Sequence, residues 1–327
     1  MERKIIYITL LAVLWSCSRI DDNSDRFIGL SAGVADMEVS TRAAVAGTPY
    51  SGSAPSETNP LNASVWFSTV AGQYLHNPAE PTYLPCRTTM TFEGESMTYA
   101  DYDDNPTDKS PAVSLKYPTS NETPVYCIGL YPASGWSSSD GVEISHAITG
   151  AEDLMFADQI TGTWNSHFPK QQYSHLLTWV KINFCAMTME AARQWGGVTE
   201  ITISSKDKLE IDLAETGEKV SYVGNDIKIK TFENAEGVLP SLTSTEAGSV
   251  LCSPATQYTV KIKTTNNPGG KEIPIILTNL DYQPLTSSSE AVGKLFIISL
   301  YFSPFNVIEG TCTLNYWNDQ NEDLYMK

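Results

Sequence analysis

Four histidines, at positions 76, 146, 167 and 175, are the side chains of this 327-residue chain whose ordinary titration falls near neutrality. None belongs to an HExxH, and no CxxC occurs, so the strong zinc spacings are missing. His167 and His175 are near neighbours in sequence, and a polar loop followed by the start of a strand accounts for them. The chain has no GxSxG, no phosphate-binding GxxxxGK and no GxGxxG. Carboxylates are plentiful, but scattered acids do not make a glycosidase pair, which needs a set separation across the sugar. The expectation is therefore no catalytic centre, no cofactor and no metal centre.

Two weaker constellations remain. Asp101, Asp103 and Asn105 keep the 1, 3, 5 spacing of an oxygen-ligand calcium loop. Pro106 stands where such a loop turns on Gly, and Ala112 stands where it ends on Glu, so a solvated acidic loop explains the segment better. The tryptophans at 66, 136, 164, 179, 195 and 317 could stack on sugar rings, though aromatic residues more often fill cores and interfaces. Trp136 lies in Ser134-Gly135-Trp136-Ser137-Ser138-Ser139, a loop, and is the candidate glycan contact.

Charge narrows the partners. The chain carries 21 Lys plus Arg against 38 Asp plus Glu, a net charge of −17. No basic cluster offsets this, which sets nucleic acid aside as a partner. Hydrophobic residues make up 41% and charged residues 18%, enough apolar material for a folded core.

The N-terminus carries the most specific motif. Glu2-Arg3-Lys4 precedes an apolar run from Ile5 to Trp15, too short to span a bilayer but suited to a signal-peptide core. It ends in Leu14-Trp15-Ser16-Cys17, which resembles the bacterial lipobox, with Trp15 larger than the residue usual at that place. The resemblance implies cleavage before Cys17 and its lipidation, with outer-membrane lipid as a partner through that residue. An uncleaved anchor and a plain secretory signal are the alternatives. Two or more acyl chains anchor stably, at about 0.8 kcal/mol per buried CH₂. Residues 1–16 are then a signal peptide and 17–26 a flexible acidic tether. With Cys17 lipidated, Cys86, Cys127, Cys185, Cys252 and Cys312 remain; an odd count argues against a full disulfide framework and for mostly reduced cysteines packed as small hydrophobes.

The elements that must position these residues read as strands. Pro124 to Tyr131 places Tyr126, Ile128 and Leu130 on one face. Asp140-Gly141 is a hairpin turn before Val142, Ile144 and Ile148. His175 to Met187 alternates, with Leu176, Thr178, Val180, Ile182 and Phe184 on one face. Thr188 to Trp195 is the single helical segment. Ile201, Ile203, Leu209, Ile211 and Leu213 continue the period of two. Gly224-Asn225 is expected to turn the chain, and residues 266–270 to form a hairpin loop. Phe296, Ile298, Leu300 and Phe302 share one face. Short strands in succession predict an all-β chain of antiparallel β-sandwiches, with domains at 27–170 and 171–327.

Several of these segments together resemble the fimbrillin family of surface lipoproteins. They are the Cys17 lipobox, Ser40-Thr41-Arg42-Ala43 ahead of a Gly/Pro/Ser-rich loop, Asp153-Leu154-Met155-Phe156-Ala157, the run from Ser174 to Phe184, and Trp317-Asn318-Asp319. The resemblance spans most of the chain after Cys17. It implies two tandem transthyretin-like sandwiches and a structural or accessory fimbrial subunit on the cell surface. It also implies cleavage by an Arg-specific protease near the N-terminus, and assembly by strand donation. Other fimbrial subunits and a host or bacterial receptor are the implied partners. Arg42-Ala43 is the candidate cut, with Arg19 and Arg26 as rivals and an ordinary surface Arg as the plainer reading. A glycan-binding lipoprotein of a nutrient-uptake system is the alternative function.

Overall fold

The structure, a computed structural model, describes residues 28–34, 50, 55–75, 86–93, 96–99, 116–215, 217–304 and 307–315. It is an all-β sandwich protein. The first eight strands are β1 (Ala32–Val34), β2 (Leu61–Ser68), β3 (Cys86–Glu93), β4 (Ser96–Tyr99), β5 (Val125–Tyr131), β6 (Glu143–Ala147), β7 (Met155–Gly162) and β8 (Gln171–His175). Seven of them form one sheet in the order β1-β8-β7-β5-β2-β3-β4. The central strand β5 is buried on both faces: Val125 and Cys127 enter one core, Ile128 and Leu130 another, with Tyr126 packed beside them. That is the face expected for Tyr126, Ile128 and Leu130.

The next elements are β9 (Thr178–Ala186), the helix α1 (Met189–Trp195), β10 (Val198–Asp212), β11 (Val220–Val238), β12 (Thr245–Cys252), β13 (Gln257–Thr264), β14 (Asn267–Ile276), β15 (Leu295–Ser303) and β16 (Val307–Asn315). A four-stranded sheet β12-β9-β15-β16 faces the sheet β11-β10-β13-β14, to which β6 adds by pairing with β10. Between them lies the largest core, where Val180, Ile182 and Phe184 of β9 meet Phe296, Ile298, Leu300 and Phe302 of β15 and Ile201, Ile203, Val260 and Ile262 opposite. Alternation at a period of two delivers these side chains to one face of each sheet. Leu176, expected on that face, precedes β9 and packs in a different core.

α1 forms where expected. The Thr188 hydroxyl accepts from the Ala191 N–H at 3.1 Å, Glu190 sits in the first turn and Arg193 in the last. Gly196, at φ +75°, ends it and donates to the Ala192 carbonyl. Ala191, Ala192 and Trp195 are buried, and the Trp195 N–H donates to the Ser303 carbonyl at 3.0 Å.

Four features depart from the sequence reading. Two pairings are parallel rather than antiparallel, β1 with β8 and β9 with β15. In each pair the partners are far apart in sequence, so no tight hairpin fixes their direction. Gly224-Asn225 does not turn the chain: β11 runs on through it as a bulge opposite Asp207, whose carboxylate accepts from the Asn225 N–H at 2.9 Å. Gly224 has φ +82°, and a Cβ there would lie 2.0 Å from Asp207 Oδ1. The loop expected at 266–270 is shorter, because Thr264 pairs with Asn267 and Pro268 already lies in β14. Proline is tolerated there because β14 is a sheet edge, with no ladder partner on its far side among the described residues. Lastly, β10 is one strand of 15 residues, whose Ile201 and Ile203 serve the largest core while Leu209 and Ile211 serve a third.

That third core joins residues from both sides of position 170. Trp66, Ile128, Leu130, Ile144, Leu154 and Phe156 pack there with Trp179, Leu209, Ile211, Leu251 and Leu295.

Candidate functional site

The feature with the clearest capacity to act is the β1 edge of the seven-stranded sheet. Along the segment that contains β1, Ile28, Leu30, Ala32 and Val34 are buried at every second position, all in one core with Tyr173, Met155 and Ala157. Three residues ladder with β8: Ala32 with Gln171, Gly33 with Gln172 and Val34 with Tyr173. The Gln171 N–H also donates to the Ser31 carbonyl at 2.8 Å. The segment is thus held by apolar side chains and a short main-chain ladder, the two components of strand-addition binding. Beneath it, Tyr173 is fully buried and donates to Gln171 Oε1 at 3.0 Å, and the Gln171 amide nitrogen lies 3.5 Å from the Cys127 sulfur. Burial pushes the Tyr173 hydroxyl far above the ordinary phenol range.

At the end of β8 lies a buried ionisable pair. His175 Nδ1 is 2.6 Å from Asp153 Oδ2, and both side chains are almost wholly removed from solvent. The same oxygen accepts the Tyr50 N–H at 2.9 Å. Asp153 Oδ1 has no hydrogen-bond partner among the described residues. Tyr50 is fixed further by donation from its hydroxyl to the Asn59 carbonyl at 2.8 Å and by edge contact with the Tyr131 ring, centroids 5.5 Å apart. Burial, with Asp153, Tyr50 and Glu152 nearby, pushes the Tyr131 hydroxyl up to about 12. Removing one member would leave the other a buried polar group without this partner, at a cost of about 1–3 kcal/mol.

Sequence reasoning missed this pair. It had the two segments, Asp153 to Ala157 and Ser174 to Phe184, but treated them separately and read His175 as a strand start. The ladder of β7 with β8, Met155 opposite His175, brings them together. A period-two reading registers one strand's faces and says nothing of which strand lies beside it. His167 is elsewhere, among aromatic rings: Tyr117 at 5.6 Å and Trp164 at 5.7 Å between centroids.

Of the residues singled out in the sequence, Cys17, Arg42, Ala43, Asp101, Asp103 and Asn105 lie outside the described residues, as do Arg19, Arg26 and His76. Trp136 is described. It is half-buried, donates its indole N–H to the Pro132 carbonyl at 2.8 Å, and sets its ring edge-on to His146 at 4.8 Å. Trp66, Trp179 and Trp195 are core residues. Cys127, Cys185, Cys252 and Cys312 are free thiols. Burial raises Cys185 and Cys252 above the ordinary thiol range and takes Cys312 up to about 12. Among the described residues no cluster of three or more His, Cys, Asp or Glu is arranged to hold a metal ion.

No family model matches the chain, and no curated protein matches it in sequence. Solved structures with similarity include a candidate cell adhesion protein of Bacteroides uniformis, 14% identical, with a TM-score of 0.48 and coverage of 79% of this chain and 91% of that one. A candidate cell adhesion protein of Bacteroides ovatus is 14% identical, with a TM-score of 0.49 and coverage of 90% and 98%. A candidate polysaccharide-binding protein of Bacteroides thetaiotaomicron is 10% identical, with a TM-score of 0.44 and coverage of 78% and 88%.

Proposed function

We propose that this chain is a non-catalytic surface lipoprotein, anchored through Cys17, that serves as a structural or accessory subunit of fimbriae and contributes to adhesion. The observation that carries the reading is the edge position of β1. Its segment, with Ile28, Leu30, Ala32 and Val34 buried and three ladder pairs on β8 among the described residues, lies N-terminal to Arg42 in sequence. A cut at Arg42-Ala43 would separate that segment from the rest of the chain. Its departure would leave an apolar groove beside the unpaired edge of β8, which an extended segment of another subunit fits. The fimbrillin-like segments of the sequence support the same reading.

The test is treatment of the purified chain with an Arg-specific protease, followed by N-terminal sequencing and electrophoresis without boiling. A new N-terminus at Ala43 together with a ladder of oligomers is expected, and Arg42→Gln should abolish both. A chain trimmed at Ala43 that stays monomeric, alone and with other subunits from the same cell surface, would refute strand-mediated assembly.

A further inference from the structure

We infer that Asp153, His175 and Tyr50 form a clasp that keeps the chain beyond the proposed cut fixed to the end of β8 when β1 parts from it, a device that rests on the reading of β1 as removable. One carboxylate oxygen, Asp153 Oδ2, holds both the Tyr50 N–H and the imidazole of His175. His175 is the last residue of β8, the strand whose other end, Gln171 to Tyr173, carries β1. The edge that β1 would vacate and the chain that follows β1 are therefore tied to the same buried atom.

Tyr50 is held at three points: its amide on Asp153, its hydroxyl on the Asn59 carbonyl, and its ring on Tyr131. Among the described residues β1 ladders at three positions, at the edge of the sheet. Local opening follows the weakest hydrogen-bonded unit, so β1 can part from β8 in an event that stops short of Tyr50. Without the clasp, local opening could spread toward β2, which starts at Leu61 and lies inside the sheet between β3 and β5. The clasp keeps β8 in place as an acceptor while its partner leaves. Burying polar groups is costly unless they find partners, and Asp153 Oδ2 is the shared partner of Tyr50 and His175 here.

Hydrogen exchange on the uncut, full-length chain tests this without any need for cleavage or polymer. In the native protein the amides of Ala32–Val34 should exchange at least about 10-fold faster than Tyr50, with Tyr50 exchanging alongside Val125–Tyr131. In Asp153→Asn, Tyr50 should fall to the β1 rate while Val125–Tyr131 keep theirs. Tyr50 exchanging together with β1 in the native chain overturns the clasp, and so does an unchanged Tyr50 rate in the variant. If the variant does not fold, the native comparison alone decides. Divided exchange in a chain that never polymerises sinks the subunit reading and leaves the clasp standing; undivided exchange in one that does polymerise does the reverse.

Discussion

Gly129 and Tyr173 have to be understood as a pair. A Cβ at Gly129 would lie 2.2 Å from the Tyr173 hydroxyl oxygen, so glycine in β5 is the space that the buried phenol fills. Gly129→Ala forces the ring or the strand to move, and overpacking of this sort costs about 1–3 kcal/mol. Urea denaturation should show that loss. Gly129→Ala combined with Tyr173→Phe, which removes the oxygen in conflict, should recover part of it. Neither residue stands out in the sequence, because a lone Gly in a strand pattern announces a close approach without naming what approaches. Tyr173 enters the same core as Ile28, Leu30 and Val34, so the double variant should also alter how firmly the β1 segment is held.

Elements with strong local signals were readable from the chain itself. β5, β9 and β15 declared their faces by alternation, and α1 declared its start by Thr188. Capping is local chemistry, and Thr188→Ala should cost about 1 kcal/mol, measured as a lowered urea midpoint with an unchanged slope. What escaped the sequence was pairing over distance. The parallel neighbours β9 and β15, the short β1 beside β8, and β6 on β10 each depend on residues remote in sequence. The Gly224 bulge escaped for a related reason, since only Asp207 on the neighbouring strand distinguishes a bulge from a turn. The Asp153–His175 pair is the same limitation at the candidate site. Its two residues were in view, and the ladder that joins them was not.

For the whole molecule, burial of weak acids dictates behaviour at high pH. Burial raises the hydroxyls of Tyr74, Tyr131, Tyr173, Tyr222 and Tyr258 and the thiols of Cys252 and Cys312. The folded state therefore keeps these protons longer than the unfolded chain does. Their contribution to stability is complete below the ordinary thiol and phenol values of about 8.5 and 10, and is lost as pH climbs toward the folded values near 12 given for Tyr131 and Cys312. The share of tyrosinate absorbance that comes from these five buried residues should appear only with loss of the strand signal in circular dichroism. Ionisation of all sixteen tyrosines with the strands intact would contradict it. The third core makes a matching claim for heat. Ile128→Ala removes a fully buried side chain from it, at a cost of about 2–5 kcal/mol. Because residues from both sides of position 170 line that core, calorimetry should show a single lowered transition rather than one shifted peak beside an unshifted one.

β10 gives the protein a mechanical character. One unbroken strand threads two of its interiors, Ile201 and Ile203 at one end and Leu209 and Ile211 at the other, with β11 laddered along most of its length. Tension applied along this strand must break many transverse hydrogen bonds at once, where tension across a hinge would peel them singly. Pulled along its length, such a strut gives way only when its long ladder with β11 fails.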